Sequence, residues 1–389
     1  MASSIKQFYY ITHIDNIKSI LSRGILSHNT IEEQNVKYTQ IYDAQIVSSR
    51  KNRKTPDDKS LWNYANLYFR ARNPMLYRVV CEQSAENIAV LAIDSSVITL
   101  QGAFVAVGNA ASPLSDIIPA KEYWKVMKEL KDALRKEYWK DEDGSKRKIM
   151  AECLVPEKID PAYIKAIYVA TDNIAKKIGA QLPTGVSLIP EPHMFFDNPL
   201  VTSLTPNLVV YKGDLFFSKV QTLTVSVNIV GIMGKGLASR AKYQFPDVYV
   251  LYQDLCYKRI LRMGKPYLYK REVSLDFQLA DEPATLKNGN FETWFLLFPT
   301  KRHWKENADF LAIEQGMQWL RENYRREGIK TLAIPALGCG LGKLDWKDVG
   351  PMLCRYLVTI DIPVQLYLPA EKQIPEEQLK KEFLLPSYE

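Results

Sequence analysis

Two glycine-rich segments, residues 228–236 (NIVGIMGKG) and 335–346 (PALGCGLGKLDW), each lie between an apolar run with β-branched residues and a helical pattern. Glycines at such a strand-to-helix turn let the backbone approach a ligand and direct its N–H groups at phosphate oxygens. A third apolar run ends in residues 298–304 (FPTKRHW). Together the three segments predict a site for a ligand that carries a pyrophosphate group.

The composition is typical of a globular protein, and the cysteine usage favours the cytoplasm as its location. Hydrophobic residues make up 47% of the 389 residues and charged residues 24%, which are values typical of folded domains. The five cysteines are odd in number and have no CxxC spacing, so we expect a reducing compartment and no metal site. No apolar run has the roughly 20 residues of a membrane span. The net charge of +7 permits a nucleic-acid partner without requiring one.

A chain of this length is expected to form two domains. The proline-rich stretch 179–206 has little periodicity, so it predicts a first domain over 1–200, a linker over 201–206 and a second domain over 207–389. In the second domain, strand patterns alternate with helical patterns. This alternation predicts an α/β three-layer sandwich whose ligand lies at the carboxyl ends of the strands. The first domain is less regular and is predicted to be α+β.

Local patterns predict the main elements of both domains. In the first domain we expect helices over 14–23 and 122–138, and short strands over 79–80, 88–93, 150–155 and 164–170. In the second domain we expect strands over 208–215, 222–229, 291–298, 330–337 and 364–368, helices over 236–244, 308–327 and 346–358, and an irregular insertion over 257–290.

The first half resembles the DarT family of NAD-dependent DNA ADP-ribosyltransferase toxins. The matching segments are residues 9–28, 45–54, 61–77 and 146–155. The resemblance implies that this domain transfers ADP-ribose from NAD to a base of single-stranded DNA, with thymidine as the expected acceptor. The family usually has paired arginines where this chain has Ser49-Arg50, and a motif closer to DYVPFYF where this chain has NYANLYF. These departures could alter substrate choice.

The resemblance implies Glu152 as the catalytic glutamate, and a carboxylate suits the reaction. Breaking the nicotinamide–ribose bond creates an oxocarbenium-like centre, which a carboxylate can stabilise while it accepts a proton from the nucleophile. Strand alternation alone would favour an outward-facing Glu152. Arg50 could hold an NAD phosphate or orient the target base, and the basic run 50–54 could follow a nucleic-acid backbone. A solvated run of surface charges is the simpler interpretation of that run.

Six further residues are predicted to contact NAD. His13 could touch the adenosine ribose, although a helix cap or a core histidine is the commoner role. Tyr64 and Tyr68 offer aromatic surface for stacking on nicotinamide or a base, whereas aromatic residues at this spacing are usually core. The other three are Thr12, Asn16 and Arg72.

The second half resembles the macrodomain of the DarG family, the antitoxin partner of DarT, which removes ADP-ribose from DNA. The matching segments are residues 213–216, 227–246, 298–304 and 335–346. The resemblance implies that Asp214 faces the adenine amino group, that Asn228 and residues 234–236 hold the distal ribose, and that residues 338–342 cradle the diphosphate. The predicted ADP-ribose contacts are Asp214, Asn228, Gly234, Lys235, Gly236, Gly338, Cys339, Gly340, Leu341 and Gly342.

Lys301 is the candidate catalytic residue of the second domain. A lysine can protonate or hold the group that departs from the anomeric carbon, or it can capture the ring-opened aldehyde as a Schiff base if burial lowers its pKa. An isolated lysine is usually an exposed loop residue. A related hydrolase branch pairs such a lysine with an aspartate where this chain has Gly342, and nearby Asp345 is expected to cap the following helix.

The sequence therefore predicts a single-chain fusion of a DNA-modifying writer and its eraser, with NAD as substrate and ADP-ribose as macrodomain ligand. An intramolecular contact between the toxin and antitoxin domains is a further expectation. One alternative is a non-catalytic first domain joined to a macrodomain that binds or erases ADP-ribose. Another is an active writer that modifies guanine, RNA or protein.

Overall fold

The computed structural model describes residues 5–42, 49–179, 182, 187–369 and 372–386. It divides into two compact units. The first comprises Met1–Asp197 together with Asp276–Gly289, and the second comprises Asn198–Leu275 together with Asn290–Glu389. Part of the basic segment that resembles DarT, residues 45–48, lies outside the described residues, as do 180–181 and 183–186 of the proline-rich stretch.

A mixed eight-stranded sheet forms the centre of the first unit. In order across the sheet, its strands are Ser187–Pro190, Ile164–Val169, Ile88–Asp94, Gln7–His13, Tyr64–Tyr68, Glu152–Pro156, Phe104–Ala106 and Ile117–Pro119. Neighbouring strands are antiparallel, except that the first two in this order are parallel. Residues 88–93 are fully buried. The predicted strands over 88–93, 150–155 and 164–170 correspond to members of this sheet.

Short helices surround the sheet of the first unit. They are Ile17–Arg23, His28–Glu33, Pro74–Gln83, Trp124–Arg135, Ser145–Lys148 and Asp172–Gly179. The first of them ends, as predicted, at Gly24, which has a φ of 92° and whose Cβ, if present, would lie 2.2 Å from the carbonyl oxygen of Ile159. Only glycine fits this turn.

The strand predicted at Val79–Val80 is wrong, because both residues lie in the helix Pro74–Gln83. Asn73 accepts a hydrogen bond from the backbone N–H of Leu76 at 3.0 Å, and Pro74 occupies the first turn. These are strong helix-start signals. They override the β-branched character of the two valines, and Val79 is buried as a helical core residue.

The second unit is a seven-stranded sheet between two layers of helices. In order, its strands are Leu200–Ser203, Leu208–Tyr211, Val364–Tyr367, Leu332–Pro335, Thr222–Asn228, Trp294–Lys301 and Tyr267–Tyr269. The five inner strands are parallel and the two edge strands are antiparallel. Its main helices are Gly236–Gln244, Pro246–Tyr257, Phe310–Glu327, Trp346–Leu357 and Lys381–Leu384. This is the predicted α/β three-layer arrangement.

Each face of this sheet has its own apolar layer. On one face, Ile313, Met317 and Leu353 pack with strand residues in a large buried cluster. On the other face, Phe245 contacts both Phe216 and Phe295, with ring centroids 5.3 and 4.7 Å away. No helix among the described residues is long and apolar enough to cross a membrane.

The boundary between the units differs from the predicted one. The predicted linker over 201–206 contains most of the strand Leu200–Ser203, which pairs antiparallel with Leu208–Tyr211. The many prolines masked this edge hairpin in the sequence. The predicted insertion over 257–290 is also more ordered than expected, since it holds the strand Tyr267–Tyr269 and the segment Asp276–Gly289 of the first unit.

Candidate active sites

Glu152 and Arg50 form a buried ion pair in the first unit. The Arg50 guanidinium donates from Nη2 to Oε2 of Glu152 at 2.8 Å and from Nη1 to Oε1 at 3.2 Å. Oε1 also accepts the backbone N–H of Ala110 at 2.9 Å. The Glu152 side chain is 0% exposed and that of Arg50 is 14% exposed. Glu152 therefore does not face outward, and both its oxygens are held in place.

The sheet fixes the position of Glu152. It is the first residue of its strand and lies between Tyr68 on one neighbouring strand and Ala106 on the other. The strand Phe104–Ala106 continues into the loop that contains Ala110. A carboxylate held by strands on both sides and by a backbone donor is pre-oriented, which favours a specific chemical role over a general electrostatic one.

Burial and the charges of the ion pair together shift the pKa values of neighbouring groups. Burial acts to lower the pKa of Arg50, but the Glu152 carboxylate more than offsets this and raises it. Burial and the charge of Glu152 raise the pKa of Tyr68. Burial and the charge of Arg50 lower the pKa of His28 to about 4. At neutral pH, His28 and Tyr68 are thus uncharged.

A pocket opens beside this pair. Of the residues predicted from the sequence, Thr12, Asn16, Arg50, Tyr64 and Tyr68 line it. The Asn16 amide donates to Thr12 Oγ1 at 3.1 Å and to the backbone oxygen of Thr39 at 2.8 Å, so it links the first strand of the chain to the 38–42 segment. Tyr64 is a buried core residue as well as a lining residue.

Two predicted NAD contacts are not among the described residues that line the pocket. His13 accepts the backbone N–H of Asp15 at 3.2 Å and caps the turn Ile14–Asn16, which is the ordinary role considered for it. The Arg72 guanidinium lies over the ring of Phe196, 4.6 Å from its centroid, and its Nη1 is 3.3 Å from the His193 ring. Its charge is held by these aromatic partners away from the pocket lining.

Several lining residues were missed by the sequence analysis. They are chiefly aromatic or titratable, and they include Tyr10, His28, Tyr38, Tyr42, Arg78, Asp281 and Glu282. The hydroxyls of Tyr38 and Tyr42 hydrogen-bond each other, and burial raises the pKa of Tyr10 to about 12. Tyrosines at 38 and 42 are four residues apart, a spacing that could have suggested a shared surface. No local signal could have brought in residues 281 and 282.

In the second unit, the two glycine-rich loops meet. A Cβ added to Gly236 would lie 3.3 Å from the Leu341 side chain, and the φ of Gly236 is 60°. Lys235 precedes the helix Gly236–Gln244 and makes no side-chain cap. Backbone N–H groups at such a helix start are ready to bind an anion. The role of residues 234–236 in holding the distal ribose stays a prediction.

Asn228 organises the first loop from the end of its strand. Its amide donates to the Ile232 backbone oxygen at 2.6 Å, and its Oδ1 accepts the backbone N–H of Val230 at 3.0 Å. The Tyr252 hydroxyl also donates to this oxygen, at 2.8 Å. Asn228 is 6% exposed. It therefore shapes the loop that would surround the ribose.

The second loop is a tight turn that contributes backbone more than side chains. Gly338 has a φ of 78°, and its oxygen accepts the Leu344 N–H at 3.0 Å. Cys339 is fully buried, and burial raises the pKa of its thiol to about 12. The thiol is thus inert. Gly340 accepts the N–H of Lys343 at 3.0 Å, which closes the turn.

The Lys301 side chain extends from the end of the strand Trp294–Lys301 to the second glycine-rich loop. It lies opposite Asn228 in the parallel register. Its Nζ donates to the backbone oxygens of Glu306 at 3.0 Å and Leu341 at 3.3 Å. Burial and the nearby charge of Lys343 lower the pKa of Lys301. The structure thus brings Lys301 and both glycine-rich loops together.

Gly342 has no room for a side chain. A Cβ there would lie 2.5 Å from the Gly338 oxygen and 2.8 Å from the Ala308 Cβ. Asp345 is engaged as the predicted helix cap, because it accepts the N–H of Lys347 at 3.1 Å. Neither position offers a carboxylate to partner Lys301.

Asp214, which is predicted to face the adenine amino group, already has hydrogen-bonding and ionic partners. Its Oδ1 accepts the N–H of Phe216 at 3.0 Å, and its Oδ2 lies 2.7 Å from Nη1 of Arg240. The side chain is 11% exposed. The Arg240 guanidinium lies over the ring of Phe216, 4.9 Å from its centroid. An adenine amino group would have to share this carboxylate with these donors.

Among the described residues, no cluster of three or more His, Cys, Asp or Glu side chains could hold a metal ion.

Known proteins resemble this chain over its full length. The DarT family of ssDNA thymidine ADP-ribosyltransferases matches residues 9–196. The chain is 52% identical over 389 residues to a DNA ADP-ribosyl transferase–DNA ADP-ribosyl glycohydrolase fusion protein of Thermosipho africanus, with 100% of both chains covered. A DNA ADP-ribosyl glycohydrolase of Mycobacterium tuberculosis is 31% identical over 160 residues, which is 41% of each chain.

A solved structure, that of Thermosipho africanus DarTG in complex with ADP-ribose, matches with a TM-score of 0.91 at 52% identity. The match covers 97% of this chain and 99% of that one. Both resemblances found in the sequence are confirmed. The chain belongs to the family of fusion proteins that join a DarT-type DNA ADP-ribosyl transferase to a DarG-type DNA ADP-ribosyl glycohydrolase macrodomain.

Proposed function

We propose that the first unit transfers ADP-ribose from NAD to a thymidine base of single-stranded DNA, and that the second unit hydrolyses the product. The observation that carries the first half is the fully buried Glu152, held by Arg50 beside an aromatic pocket. The observation that carries the second half is the meeting of Lys301 with two glycine-rich loops.

In the transfer reaction, Glu152 stabilises the positive charge that develops on the nicotinamide ribose and accepts a proton from the attacking base. Both Glu152 oxygens are engaged by Arg50 in the structure. A carboxylate oxygen can accept two hydrogen bonds, and Oε2 accepts one, from Arg50, so it can take a proton while Arg50 still holds both oxygens. The remaining N–H donors of the guanidinium can bind a phosphate or the acceptor base.

In the hydrolysis, the glycine-rich loops hold the ribose and the diphosphate through backbone N–H groups. Lys301 acts at the anomeric carbon. Its lowered pKa makes it a better proton donor at neutral pH than an ordinary lysine, and leaves a larger neutral fraction for attack on an opened sugar. The crowding at Gly342 means that Lys301 works without a carboxylate partner there.

The cytoplasm is the proposed location. None of the five cysteines, all of which lie within the described residues, forms a disulfide in the structure, and reduced thiols persist in a reducing compartment. The covalent link keeps the eraser at high effective concentration near the writer. We therefore expect the intact chain to be far less toxic to a cell than a chain with a disabled second unit.

The test uses three full-length variants, Lys301→Ala, the double variant Lys301→Ala with Glu152→Gln, and Lys305→Ala as a matched exposed-lysine control. Each is mixed with labelled NAD and single-stranded oligonucleotides with or without thymidine. We expect label to remain on thymidine-containing DNA with Lys301→Ala only. Absence of both label and nicotinamide release in every reaction refutes the writer, and nicotinamide release without retained label on DNA with Lys301→Ala refutes the role of Lys301.

Release of nicotinamide is measured in the same reactions, because the eraser cannot reverse it. It separates the writer from a non-catalytic first unit. Label on oligonucleotides without thymidine, on RNA or on the protein itself keeps the writer and refutes the proposed acceptor.

A further inference from the structure

The segment Asp276–Gly289, here called the insertion segment, interrupts the sequence of the second unit but belongs to the first. The chain leaves the second unit at Leu275 and re-enters it at Asn290. Leu279 and Ala280 are fully buried. The transferase unit thus contains residues that lie far outside the stretch 9–196 matched by the DarT family.

Buried polar groups of the transferase unit find their partners in the insertion segment. The indole N–H of Trp139, a fully buried side chain, donates to the backbone oxygen of Leu279 at 2.7 Å. The buried hydroxyl of Tyr77 donates to Asp276. Buried donors that lose their acceptors destabilise a fold. The insertion segment is therefore an integral part of this unit.

The insertion segment also reaches the transferase pocket. Asp281 and Glu282 line it, as does Arg78. Nε of Arg78 donates to Oδ1 of Asp281 at 2.6 Å, and the two side chains are only 4% and 8% exposed. Both charges influence the pKa of Tyr68, the residue opposite Glu152 in the sheet. The ion pair thus lies close to the catalytic carboxylate.

The guanidinium of Arg78 has N–H donors that its ion pair with Asp281 does not use. Within the described part of the chain, its guanidinium makes one hydrogen bond, from Nε to Asp281. An arginine has five N–H donors in a rigid plane, so anchoring Nε orients the terminal nitrogens. These nitrogens belong to a side chain that lines the pocket. A phosphate is the ligand group that such an oriented fork binds best.

We propose that Asp281 is a positioning residue for the transferase reaction: it holds Arg78 at the pocket wall so that the guanidinium binds a phosphate of the substrates. The phosphate belongs either to NAD or to the single-stranded DNA. This inference rests on the proposed transferase function. It assigns to the sequence of the eraser half a direct role in the site of the writer.

The test is steady-state nicotinamide release by the full-length chain, with NAD and single-stranded DNA varied separately. The variants are Asp281→Asn, Asp281→Glu and Arg78→Lys. Asp143→Asn is the matched control, since Asp143 pairs with Lys136 at a site where both side chains are partly exposed. We expect Asp281→Asn to raise one KM about tenfold to a hundredfold, the equivalent of one charge-assisted hydrogen bond, with a smaller change in kcat.

The pattern of KM values identifies the phosphate. A raised KM for NAD alone assigns the NAD diphosphate, and a raised KM for DNA alone assigns the DNA backbone. Asp281→Glu should recover part of the loss. Arg78→Lys should keep the charge but reproduce the raised KM, because an ammonium lacks the fork.

Thermal unfolding distinguishes positioning from folding. If Asp281→Asn fails to fold, Asp281→Glu and Arg78→Lys provide the same comparison in folded chains. Unchanged KM values in folded variants, or a fall in kcat alone that Asp281→Glu does not restore, overturn the positioning role. Absence of nicotinamide release from the wild-type chain instead overturns the proposed function.

Discussion

Replacing Gly342 with alanine or aspartate should destabilise the second unit without improving hydrolysis. A Cβ at this position would lie 2.5 Å from the Gly338 backbone oxygen and 2.8 Å from the Ala308 Cβ. Both neighbours are fixed, since the Gly338 oxygen accepts the N–H of Leu344 and the N–H of Ala308 donates to the Gly342 oxygen. The new atom therefore cannot be accommodated by moving a flexible side-chain end.

The magnitude follows from this crowding. Overpacking of a tight site typically costs about 1–3 kcal/mol. The entropy gained from a glycine-to-alanine change in the unfolded state returns only about 0.4–1 kcal/mol. A net loss near 1–2 kcal/mol in the free energy of unfolding corresponds to a fall of roughly 2–8 °C in the midpoint temperature of thermal unfolding for a unit of this size. Aspartate should cost at least as much as alanine.

The assay is thermal unfolding of the full-length chain with and without ADP-ribose, since the transition that the ligand raises belongs to the second unit. Gly234→Ala is the matched control, because the atom nearest to its added Cβ is 3.9 Å away. Its midpoint should stay within about 2 °C of wild type. A Gly342→Asp chain with an unchanged midpoint and faster hydrolysis would refute the argument and restore a lysine-plus-aspartate mechanism.

Three further predictions concern single side chains. Lys343→Ala should move the pH dependence of hydrolysis to higher pH, because it removes a positive charge that lowers the pKa of Lys301; an unchanged profile contradicts this. His28 has a folded pKa of about 4 against an ordinary 6.5, so the unfolded chain alone takes up this proton as pH falls below 6.5, and stability is lost progressively down to about pH 4. His28→Gln should reduce that loss in denaturant titrations across this window, and identical acid sensitivity would count against it. Arg50→Lys should lower nicotinamide release at least about tenfold, because one ammonium cannot hold both oxygens of Glu152; wild-type turnover would exclude the bidentate role.

Local patterns were enough to predict most of the second unit. The helix Gly236–Gln244 has the predicted bounds, and the strand Thr222–Asn228 differs by one residue. Both elements are predicted by patterns local in the sequence, namely a continuous apolar run, a glycine turn and a helical period. The same reasoning failed at Val79–Val80, where a capping asparagine and a proline outweigh two β-branched residues.

The site of the first unit was less accessible to such reasoning. Strand alternation favoured an exposed Glu152, and only the family resemblance indicated the buried carboxylate that the structure contains. Arg78 and Asp281 are 203 residues apart in the chain. No period, cap or turn signal spans that distance, so their pairing is a product of tertiary structure alone.

The insertion segment has a consequence for the genetics of the fusion. A premature stop codon between Asp197 and Asp276 would produce a transferase sequence without the macrodomain. That fragment would also lack the acceptors of Trp139 and Tyr77. A truncation in that interval thus removes part of the transferase unit together with the macrodomain, whereas a truncation after Gly289 would keep every residue of the transferase unit.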